Sequence, residues 1–470
     1  MKKGLMNLGL LLSVLAVLTG CLSNDDTEIV TYNDTAITAF SLGTMTRTMH
    51  TTSSKGEDST YTASVTGSKY AFAIDQQRGL IYNVDSLPVG TRVSNVLCNI
   101  TTKNSGLAII NHRTKDGLKD SLATYSNTDS VDFSKPVEVR VYAHSGIAYR
   151  KYTVTVNVHQ QNGDDFCWTK MLDQELNFAK ADRMRMLSAG SKPFVLMTAS
   201  NGSTVVVDLK RHLADQEESQ AMLFSATAFD NAVSNGSTLY VLEKEGNKLH
   251  AISTDAAGNT THVDHEGCDT DDINRLVGAS EKEIYALSKE GTLLVSTDEC
   301  RSWQEESLDN DAELLPEQNI NCTTHTLRTN SDMSRVVLIG TVPGKEYAVV
   351  WMKVVDRDEP GAGRWMLVAD GTTSSKGYAL PANQAQSVLA YGDLDLAFGF
   401  NAEGGLGDIL LSNDGGINWQ ADDAYAWPSD AAAQGVIAAA ADDSNYLWVV
   451  LGGTGQIWRG RLNRMGWEAK

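Results

Sequence analysis

Two short segments repeat a pattern of serine, aspartate and tryptophan whose spacing suits a tight turn. The complete copy reads S-x-D-x-G-x-x-W and consists of Ser412, Asp414, Gly416 and Trp419; the degenerate copy keeps Ser296, Asp298 and Trp303 but has Cys300 at the glycine position. The carboxylate can accept hydrogen bonds from turn amides, the glycine permits a positive φ, and the indole can be buried between sheets. These residue types predict a structural role, and we assign no catalytic residue.

The elements that position both copies belong to a repeat. Both copies follow a short apolar strand and lie about two repeat lengths apart, so they occupy corresponding positions of the repeat. Six apolar strand cores recur at intervals of roughly 45–60 residues, beginning at Phe194, Leu239, Ile284, Val336, Leu396 and Leu447. Each core is followed by a turn rich in glycine or asparagine and then by a second apolar strand, which predicts a hairpin.

Further strands around each hairpin predict a β-propeller over residues 165–470. A short strand precedes each hairpin, and an outer strand follows it, often marked by a tryptophan: Trp303, Trp365, Trp419 and Trp467. Six four-stranded repeats are typical of a six-bladed propeller, with a seven-bladed ring and an open row of sheets as alternatives. Trp168 marks one outer strand too many. Either this strand completes the last blade and closes the ring, or Trp467 does so and the Trp168 strand packs elsewhere.

Residues 33–160 contain about seven short segments with the pattern of β-strands. From Tyr152 to Val158 the apolar residues fall on one face and threonine or asparagine on the other, as in a half-buried strand. This spacing of strands and turns fits an immunoglobulin-like β-sandwich, and turn-forming residues at 162–165 mark its end. The sequence therefore predicts an all-β protein with two domains.

The N-terminus has the features of an export signal. Lys2 and Lys3 precede an apolar run from Leu5 to Leu18, which is too short to span a bilayer of about 30 Å. The residues from Leu18 to Cys21 resemble the lipobox of bacterial lipoproteins, which implies a signal peptide at 1–20, lipid attachment at Cys21 and a tether at 21–32. The acidic residues that follow resemble the export signals of Bacteroidetes lipoproteins, which implies the outer membrane and the cell surface. The alternatives are a secreted protein with a chance cysteine and a tether that is acidic only for solubility.

The net charge and the cysteine content disfavour particular kinds of binding and cross-linking. The chain has 39 Lys and Arg against 59 Asp and Glu, a net charge of −20, which disfavours binding to nucleic acid or to an anionic membrane surface. Five cysteines besides Cys21 form an odd and widely spaced set, so we expect no disulfide framework and leave their pairing open: Cys98, Cys167, Cys268, Cys300 and Cys322.

Metal and cofactor patterns are weak. His262 and His265 offer two imidazoles without a third ligand, and the acidic runs at 269–272 and 442–445 lack the spacing of an EF-hand. The chain carries no phosphate-binding loop and no dinucleotide fingerprint. We therefore predict neither a metal site nor a cofactor.

The S-x-D-x-G-x-x-W pattern resembles the Asp box of sialidase-type and other BNR-repeat propellers. In sialidases of this shape, three arginines at the ring centre hold a carboxylate, a tyrosine activated by a glutamate is the nucleophile, and an aspartate is the acid/base. The F/Y-R-I-P stretch that normally carries the first arginine is absent; Arg183 and Arg185 are the nearest candidates, with plain surface charge as the alternative. Because Asp boxes also occur in propellers that only bind, the resemblance implies a fold and leaves activity open.

Nearly the whole mature chain resembles a family of Bacteroidetes surface lipoproteins with an immunoglobulin-like N-terminal domain followed by a propeller. The resemblance rests on the lipobox, the repeat and the segments Phe72 to Gln76, Ile81 to Thr91 and Tyr152 to His159. It implies fold and location and brings no known reaction. We expect a lipid-anchored envelope protein that binds a glycan or glycoprotein through its propeller. The alternatives are a sialidase-like, glycan-cleaving hydrolase and a scaffold that docks another envelope protein.

Overall fold

The structure is a computed structural model that describes residues 32–52, 58–113, 120–214, 221–372 and 378–467. The described residues divide into two compact units, the first ending at Asn162 and the second beginning at Gly163. The predicted signal peptide, Cys21 and the predicted tether up to residue 31 lie outside the described residues. Within the described part, no helix combines the length and the apolar character needed to cross a membrane.

The first unit contains ten strands in its described residues. They are β1 (Ile37–Leu42), β2 (Thr44–Thr52), β3 (Asp58–Thr66), β4 (Phe72–Asp75), β5 (Leu80–Asn83), β6 (Cys98–Thr102), β7 (Leu107–Arg113), β8 (Asp120–Thr124), β9 (Val137–Tyr142) and β10 (Tyr149–Thr155), with 3-10 turns at Gly67–Lys69 and Lys103–Ser105. Six strands form one sheet in the order β4-β5-β10-β9-β7-β8, while β1 pairs with β6 and β2 pairs with β3. The β5–β10 pair is parallel.

Alternating burial follows the sequence pattern in β9 and β10. Every second residue of β9 is buried, beginning with Val137, and in β10 Tyr152 and Val154 are buried. These side chains form one apolar core with residues of the other strands. The sequence analysis predicted about seven strands and missed β2, β7 and β8. In β2 the reason is Arg47, which lies between Met45 and Met49 on one face and interrupts its apolar pattern.

The second unit contains six four-stranded antiparallel sheets in its described residues. The first three sheets are β12 (Met184–Ala189), β13 (Lys192–Thr198), β14 (Thr204–Asp208) and β15 (Met222–Phe224); β16 (Ala232–Ser234), β17 (Thr238–Glu243), β18 (Lys248–Thr254) and β19 (Thr260–Glu266); and β20 (Ile273–Ala279), β21 (Ile284–Ser288), β22 (Leu293–Ser296) and β23 (Gln304–Glu305).

The other three sheets follow the same order, except that the last takes its fourth strand from the start of the unit. They are β24 (Gln318–Leu327), β25 (Asn330–Thr341), β26 (Val349–Asp356) and β27 (Met366–Asp370); β28 (Ser387–Tyr391), β29 (Leu394–Phe398), β30 (Leu410–Ser412) and β31 (Gln420–Ala421); and β32 (Ile437–Ala441), β33 (Leu447–Leu451), β34 (Gln456–Leu462) and β11 (Phe166–Leu172).

Helices are short in this unit. They are α1 (Leu176–Ala179), α2 (Leu209–Ala214) and 3-10 turns at Ala226–Asn231, Lys244–Gly246, Ala312–Leu314, Ala382–Gln384, Asp423–Tyr425 and Asn463–Gly466. All six apolar cores recognised in the sequence lie in the second strand of a sheet: β13, β17, β21, β25, β29 and β33. The apolar cores of these strands are buried, and in β25 alternate core residues pack against the preceding and the following sheet.

The strand that contains Trp168 joins the two ends of the unit. β11 pairs with β34 in antiparallel register, Trp168 opposite Gly460, and the Trp168 ring stacks on Trp427 with a centroid distance of 5.4 Å. Of the two arrangements left open by the sequence, the structure has the first. Trp467, interpreted as an outer-strand residue, instead follows the 3-10 turn at Asn463–Gly466 and is partly exposed.

The first strands of the six sheets surround a common axis. They contact one another in cyclic order, from β12 through β16, β20, β24 and β28 to β32, and β32 contacts β12. A parallel bridge joins Ala189, the last residue of β12, to Gly236, two residues after β16, so these two segments run in the same direction. At the same end, the Asp443 amide donates to the Gly190 carbonyl at 3.1 Å. The N-terminal ends of these strands therefore form one mouth of a central channel, and their C-terminal ends form the other.

Candidate functional site

The complete Asp box folds its loop around the Asp414 carboxylate. Asp414 Oδ1 accepts hydrogen bonds from Ser412 Oγ at 2.9 Å and from the amides of Ile417 and Asn418 at 3.1 and 3.0 Å. The Gly416 amide donates to Ser412 Oγ at 2.9 Å. Burial raises the pKa of Asp414, but the hydrogen bonds outweigh burial and hold the pKa below its usual value.

The tryptophan of this box lies between two sheets. Trp419 is 3% exposed and belongs to an apolar cluster with Val337 and Ile339 of the fourth sheet and Val388 and Ala397 of the fifth. Its indole nitrogen donates to the carbonyl of residue 416 at 2.8 Å. The loop therefore fixes one side chain that fills the space between neighbouring sheets.

The degenerate box reproduces the serine and aspartate contacts without glycine, whereas its indole, Trp303 Nε1, donates to the Asp269 carbonyl at 2.9 Å. Ser296 Oγ donates to Asp298 Oδ1 at 2.8 Å, and the Cys300 amide donates to Ser296 Oγ at 2.9 Å. Glu299 and Cys300 have φ values of 65° and 66°, where the complete box has Gly415 and Gly416 at 84° and 85°. Non-glycine residues adopt this region at a cost in conformational energy. The second box thus keeps the same turn under strain.

A cavity of about 600 Å³ occupies the central channel. It is lined by residues from the first strands of all six sheets and from the segments that lead into them. Three arginines lie at the mouth formed by the N-terminal ends of these strands: Arg183 and Arg185 on the first sheet and Arg275 on the third.

Asp230 joins two of the three arginines. Its Oδ1 lies 2.6 Å from Arg183 Nη2 and 3.1 Å from Arg275 Nη2. The Arg183 guanidinium also lies 4.3 Å from the centre of the Phe229 ring, a cation–π contact. Arg185 Nη1 donates to the carbonyls of Phe229 and Ala232, both at 3.3 Å. The carboxylate and the neighbouring backbone thus hold all three guanidinium groups at one mouth.

Positive charge is left in excess at this mouth. Asp182 and Asp230 are the carboxylates that line the cavity beside three guanidinium groups. Burial, and then repulsion from Arg275, lower the pKa of Arg185 to about 10. Burial likewise lowers the pKa of Arg275, although Asp230 opposes this effect. Arg275 Nε is buried without a hydrogen-bond partner among the described residues. An anion in the cavity would relieve the repulsion among the three guanidinium groups.

The opposite mouth is acidic. Asp442 and Asp443, at the end of β32, line the cavity there. Asp442 is buried and accepts hydrogen bonds from Trp448 Nε1 at 3.0 Å and from backbone amides, and Lys210 Nζ lies 2.8 Å from its Oδ2. Because this carboxylate is well compensated, we interpret it as structural.

Two protein-family models match this chain. Residues 162–470 match the DUF6242 beta propeller domain, and residues 40–156 match the DUF6242 N-terminal domain, described as a domain of unknown function. The chain belongs to the DUF6242 family. This assignment confirms the prediction of a C-terminal β-propeller in an all-β chain. A search of curated proteins found no match.

Several solved structures are similar to this DUF6242 chain at low identity. A structural genomics protein of unknown function from Bacteroides thetaiotaomicron is 10% identical, with 78% of this chain and 94% of that chain covered and a TM-score of 0.40. The Hadza microbial sialidase Hz136 is 10% identical, with coverages of 92% and 91% and a TM-score of 0.38. YCF48 from Cyanidioschyzon merolae is 13% identical, with coverages of 63% and 98% and a TM-score of 0.28.

The DUF6242 propeller also contains a tyrosine–glutamate pair, but it lies away from the channel. The Tyr285 hydroxyl donates to Glu283 Oε2, and Lys353 Nζ lies 3.1 Å from Glu283 and 2.6 Å from Glu306. Tyr285, Glu283 and Lys353 are each at most 1% exposed. Burial is the main cause that raises the pKa of Tyr285 well above its usual value. No tyrosine or glutamate is found among the described residues that line the cavity.

Two of the three channel arginines, Arg183 and Arg185, are the candidates expected from the sequence, whereas Arg275 is not among them. Arg183 and Arg185 were considered because they lie near the start of the first repeat, and the structure brings both to the channel. Arg275 lies close to the beginning of β20, the position in the third repeat that corresponds to Arg185 in β12. The phase of the repeat was therefore the signal that identifies it.

Proposed function

We propose that this protein is a cell-envelope binding protein whose propeller recognises an anionic glycan or glycoprotein. The observation that carries the proposal is the cluster of Arg183, Arg185 and Arg275 at one mouth of the channel. The chain as a whole has a net charge of −20, so the excess of positive charge is confined to this mouth. Guanidinium groups bind carboxylate and sulfate groups through paired hydrogen bonds.

The rest of the cavity suits a polyhydroxylated ligand. Amide and hydroxyl side chains line it beyond the arginines: Asn235, Asn319, Asn321, Thr323, Thr324 and Gln386. A volume of about 600 Å³ lies within the range of small-ligand sites. An acidic sugar residue would place its charged group among the arginines and its hydroxyl groups against Asn319 and Gln386, because the amides of Asn235 and Asn321 already hydrogen-bond to backbone groups.

The proposal includes a location and a finer description of the fold. The lipobox ending at Cys21 supports lipid attachment and display at the cell surface, with the first unit as an immunoglobulin-like spacer. The ring of six four-stranded sheets supports a six-bladed propeller. Incorporation of a radiolabelled fatty acid into the wild-type protein, and its loss in Cys21→Ser, tests the anchor.

Glycan hydrolysis is the second candidate, and the three arginines are the observation in its favour. The resemblance to sialidases implies arginines that hold a carboxylate and a tyrosine–glutamate pair that attacks the sugar. In this chain the Tyr285–Glu283 pair is buried and bound to Lys353, so its hydroxyl is withheld from any ligand in the channel. We therefore favour binding over cleavage.

A glycan array tests the proposal. We expect the purified protein to bind sialylated, uronate-containing or sulfated oligosaccharides in preference to neutral ones, and Arg275→Gln to lose this binding. Arg328→Gln is the matched control, because Arg328 is an exposed arginine paired with Asp393 outside the cavity. Equal binding by both variants, or binding of neutral glycans alone, would contradict the proposal. Turnover of a fluorogenic sialoside by the wild-type protein would favour the hydrolase instead.

A further inference from the structure

A second polar cluster lies on the second sheet, away from the channel. His250 Nδ1, His262 Nε2 and Asp264 Oδ1 form a triangle with sides of 3.0, 2.7 and 3.1 Å. His250 is 7% exposed, whereas the side chains of His262 and Asp264 are 41% and 43% exposed. Two imidazoles and a carboxylate therefore converge on one point that is open to solvent on one side.

Strand register explains why these residues meet. His262 and Asp264 lie two residues apart on β19 and so share a face, and Asp264 is directly opposite His250 on β18. His265, which the sequence analysis paired with His262, points to the other face and lies 2.8 Å from Glu299. The third ligand, His250, lies on the neighbouring strand β18. Sequence spacing alone does not indicate which residue of β18 is opposite Asp264.

Glu243 orients the His250 ring. Its Oε2 lies 3.1 Å from His250 Nε2, and its Oε1 accepts the Ser225 amide at 2.7 Å. A proton on Nε2 that is donated to the carboxylate leaves the lone pair of Nδ1 directed at the triangle. A carboxylate that holds the outer nitrogen of a histidine ligand is a common feature of zinc sites.

We propose that His250, His262 and Asp264 bind a zinc ion and leave its fourth position open to water or to an external ligand. Three lone-pair donors this close together repel one another unless a cation or shared protons lie between them. Ligand atoms around a tetrahedral zinc, with bonds of about 2.0–2.1 Å, are about 3.3 Å apart, so the triangle needs only a small expansion. Nitrogen-rich ligands favour zinc over calcium or magnesium.

Nearby positive charge leaves the ligand oxygen available. Lys248 Nζ lies 3.3 Å from the other Asp264 oxygen, Oδ2, and 2.9 Å from Glu266. Oδ1 faces the two imidazoles and Oδ2 faces the lysine, so the two interactions are compatible. The Phe224 ring packs against His250 with a centroid distance of 5.0 Å, which shields the buried side of the site.

Calorimetry with zinc tests the site. Protein without a polyhistidine tag is stripped with a chelator and titrated with ZnCl₂, and metal content is measured by mass spectrometry. We expect one zinc per chain, and an affinity that His262→Ala lowers by more than about 100-fold. His265→Ala, the control on the opposite face, should bind as the wild type does. Absence of binding, or equal binding by both variants, would overturn the proposal.

Two further measurements separate a zinc site from a hydrogen-bond cluster. In Glu243→Gln, the amide oxygen can still accept the Ser225 amide while the amide nitrogen donates to His250 Nε2, so the histidine proton moves to Nδ1 and blocks the ligand. We expect zinc affinity to fall by about 10–100-fold while the metal-free melting temperature changes little. Cobalt should give the intense visible bands of a four-coordinate site. An unchanged zinc affinity in this variant, or a spectrum of hydrated cobalt, would contradict the site.

Discussion

The Asp boxes and the arginine mouth of the channel both contain charged side chains, but the charge is compensated by neighbouring groups in the boxes and only partly compensated at the mouth. Around Asp414, every oxygen of the carboxylate is satisfied by groups of its own loop. At the mouth, three guanidinium groups repel one another and Arg275 Nε has no partner among the described residues. The comparison teaches that the conspicuous motif marks structure, and that the uncompensated charge marks the site at which we propose binding.

The largest expected loss of stability comes from a substitution that disrupts the complete Asp box. Asp414→Ala removes the acceptor for Ser412, Ile417 and Asn418 and should lower the free energy of unfolding of the propeller by about 3 kcal/mol, because hydrogen bonds to an ionised group are lost. Urea unfolding followed by tryptophan fluorescence measures it. The neighbouring exposed residue serves as control, and Asn413→Ala should change stability by less than about 0.5 kcal/mol. Equal effects would show that the box is not structural.

A smaller effect separates the two boxes. Gly416→Ala places a Cβ at a φ of 85°, 3.2 Å from Ile339 and Val350, and should cost about 2 kcal/mol. Cys300→Ala changes a residue that already bears the strain of φ 66°; it removes only a buried sulfur and should cost about 1 kcal/mol. Chemical unfolding of both variants gives the comparison. A larger loss in Cys300→Ala would mean that the turns differ in more than their glycines.

The smallest effect concerns pH. The pKa values of Asp414 and Asp298 are lowered in the folded state, where hydrogen bonds outweigh burial. Each carboxylate therefore stabilises the fold above its unfolded pKa of about 4, and this contribution is lost as the pH falls from there through the folded value. Asp414→Asn cannot titrate, so its stability should decline less than that of the wild type between pH 5 and pH 3. Parallel pH profiles would contradict this assignment.

Sequence reasoning succeeded where a local pattern repeats. The six apolar cores, the turns after them and the Asp boxes depend on residues close together in the chain, so their spacing predicts the propeller that the family model confirms. Trp467 was misplaced because an indole near the end of the repeat resembles an outer-strand residue, whereas the strand that completes the sixth sheet is β11.

Sites formed by distant residues were harder to predict. Arg183 and Arg275 meet at Asp230 only when the first three sheets pack around the axis, and His250 meets His262 only through strand register. Neither contact has a signal in local spacing. Arg275 corresponds to Arg185 only by its position near the start of the first strand of its repeat. That position becomes clear once the strand boundaries are known.

The most direct test measures stability and binding on the same variants. Isothermal titration measures the affinity for sialylated, uronate-containing and sulfated oligosaccharides. The affinities are compared among the wild type, the double variant Arg183→Gln/Arg275→Gln and Asp414→Asn. The account predicts that the double variant loses at least about 100-fold in affinity, two charge-assisted contacts, while remaining cooperatively folded, and that Asp414→Asn melts earlier but binds normally when folded. Binding that survives loss of both arginines, or that depends on Asp414, would contradict it.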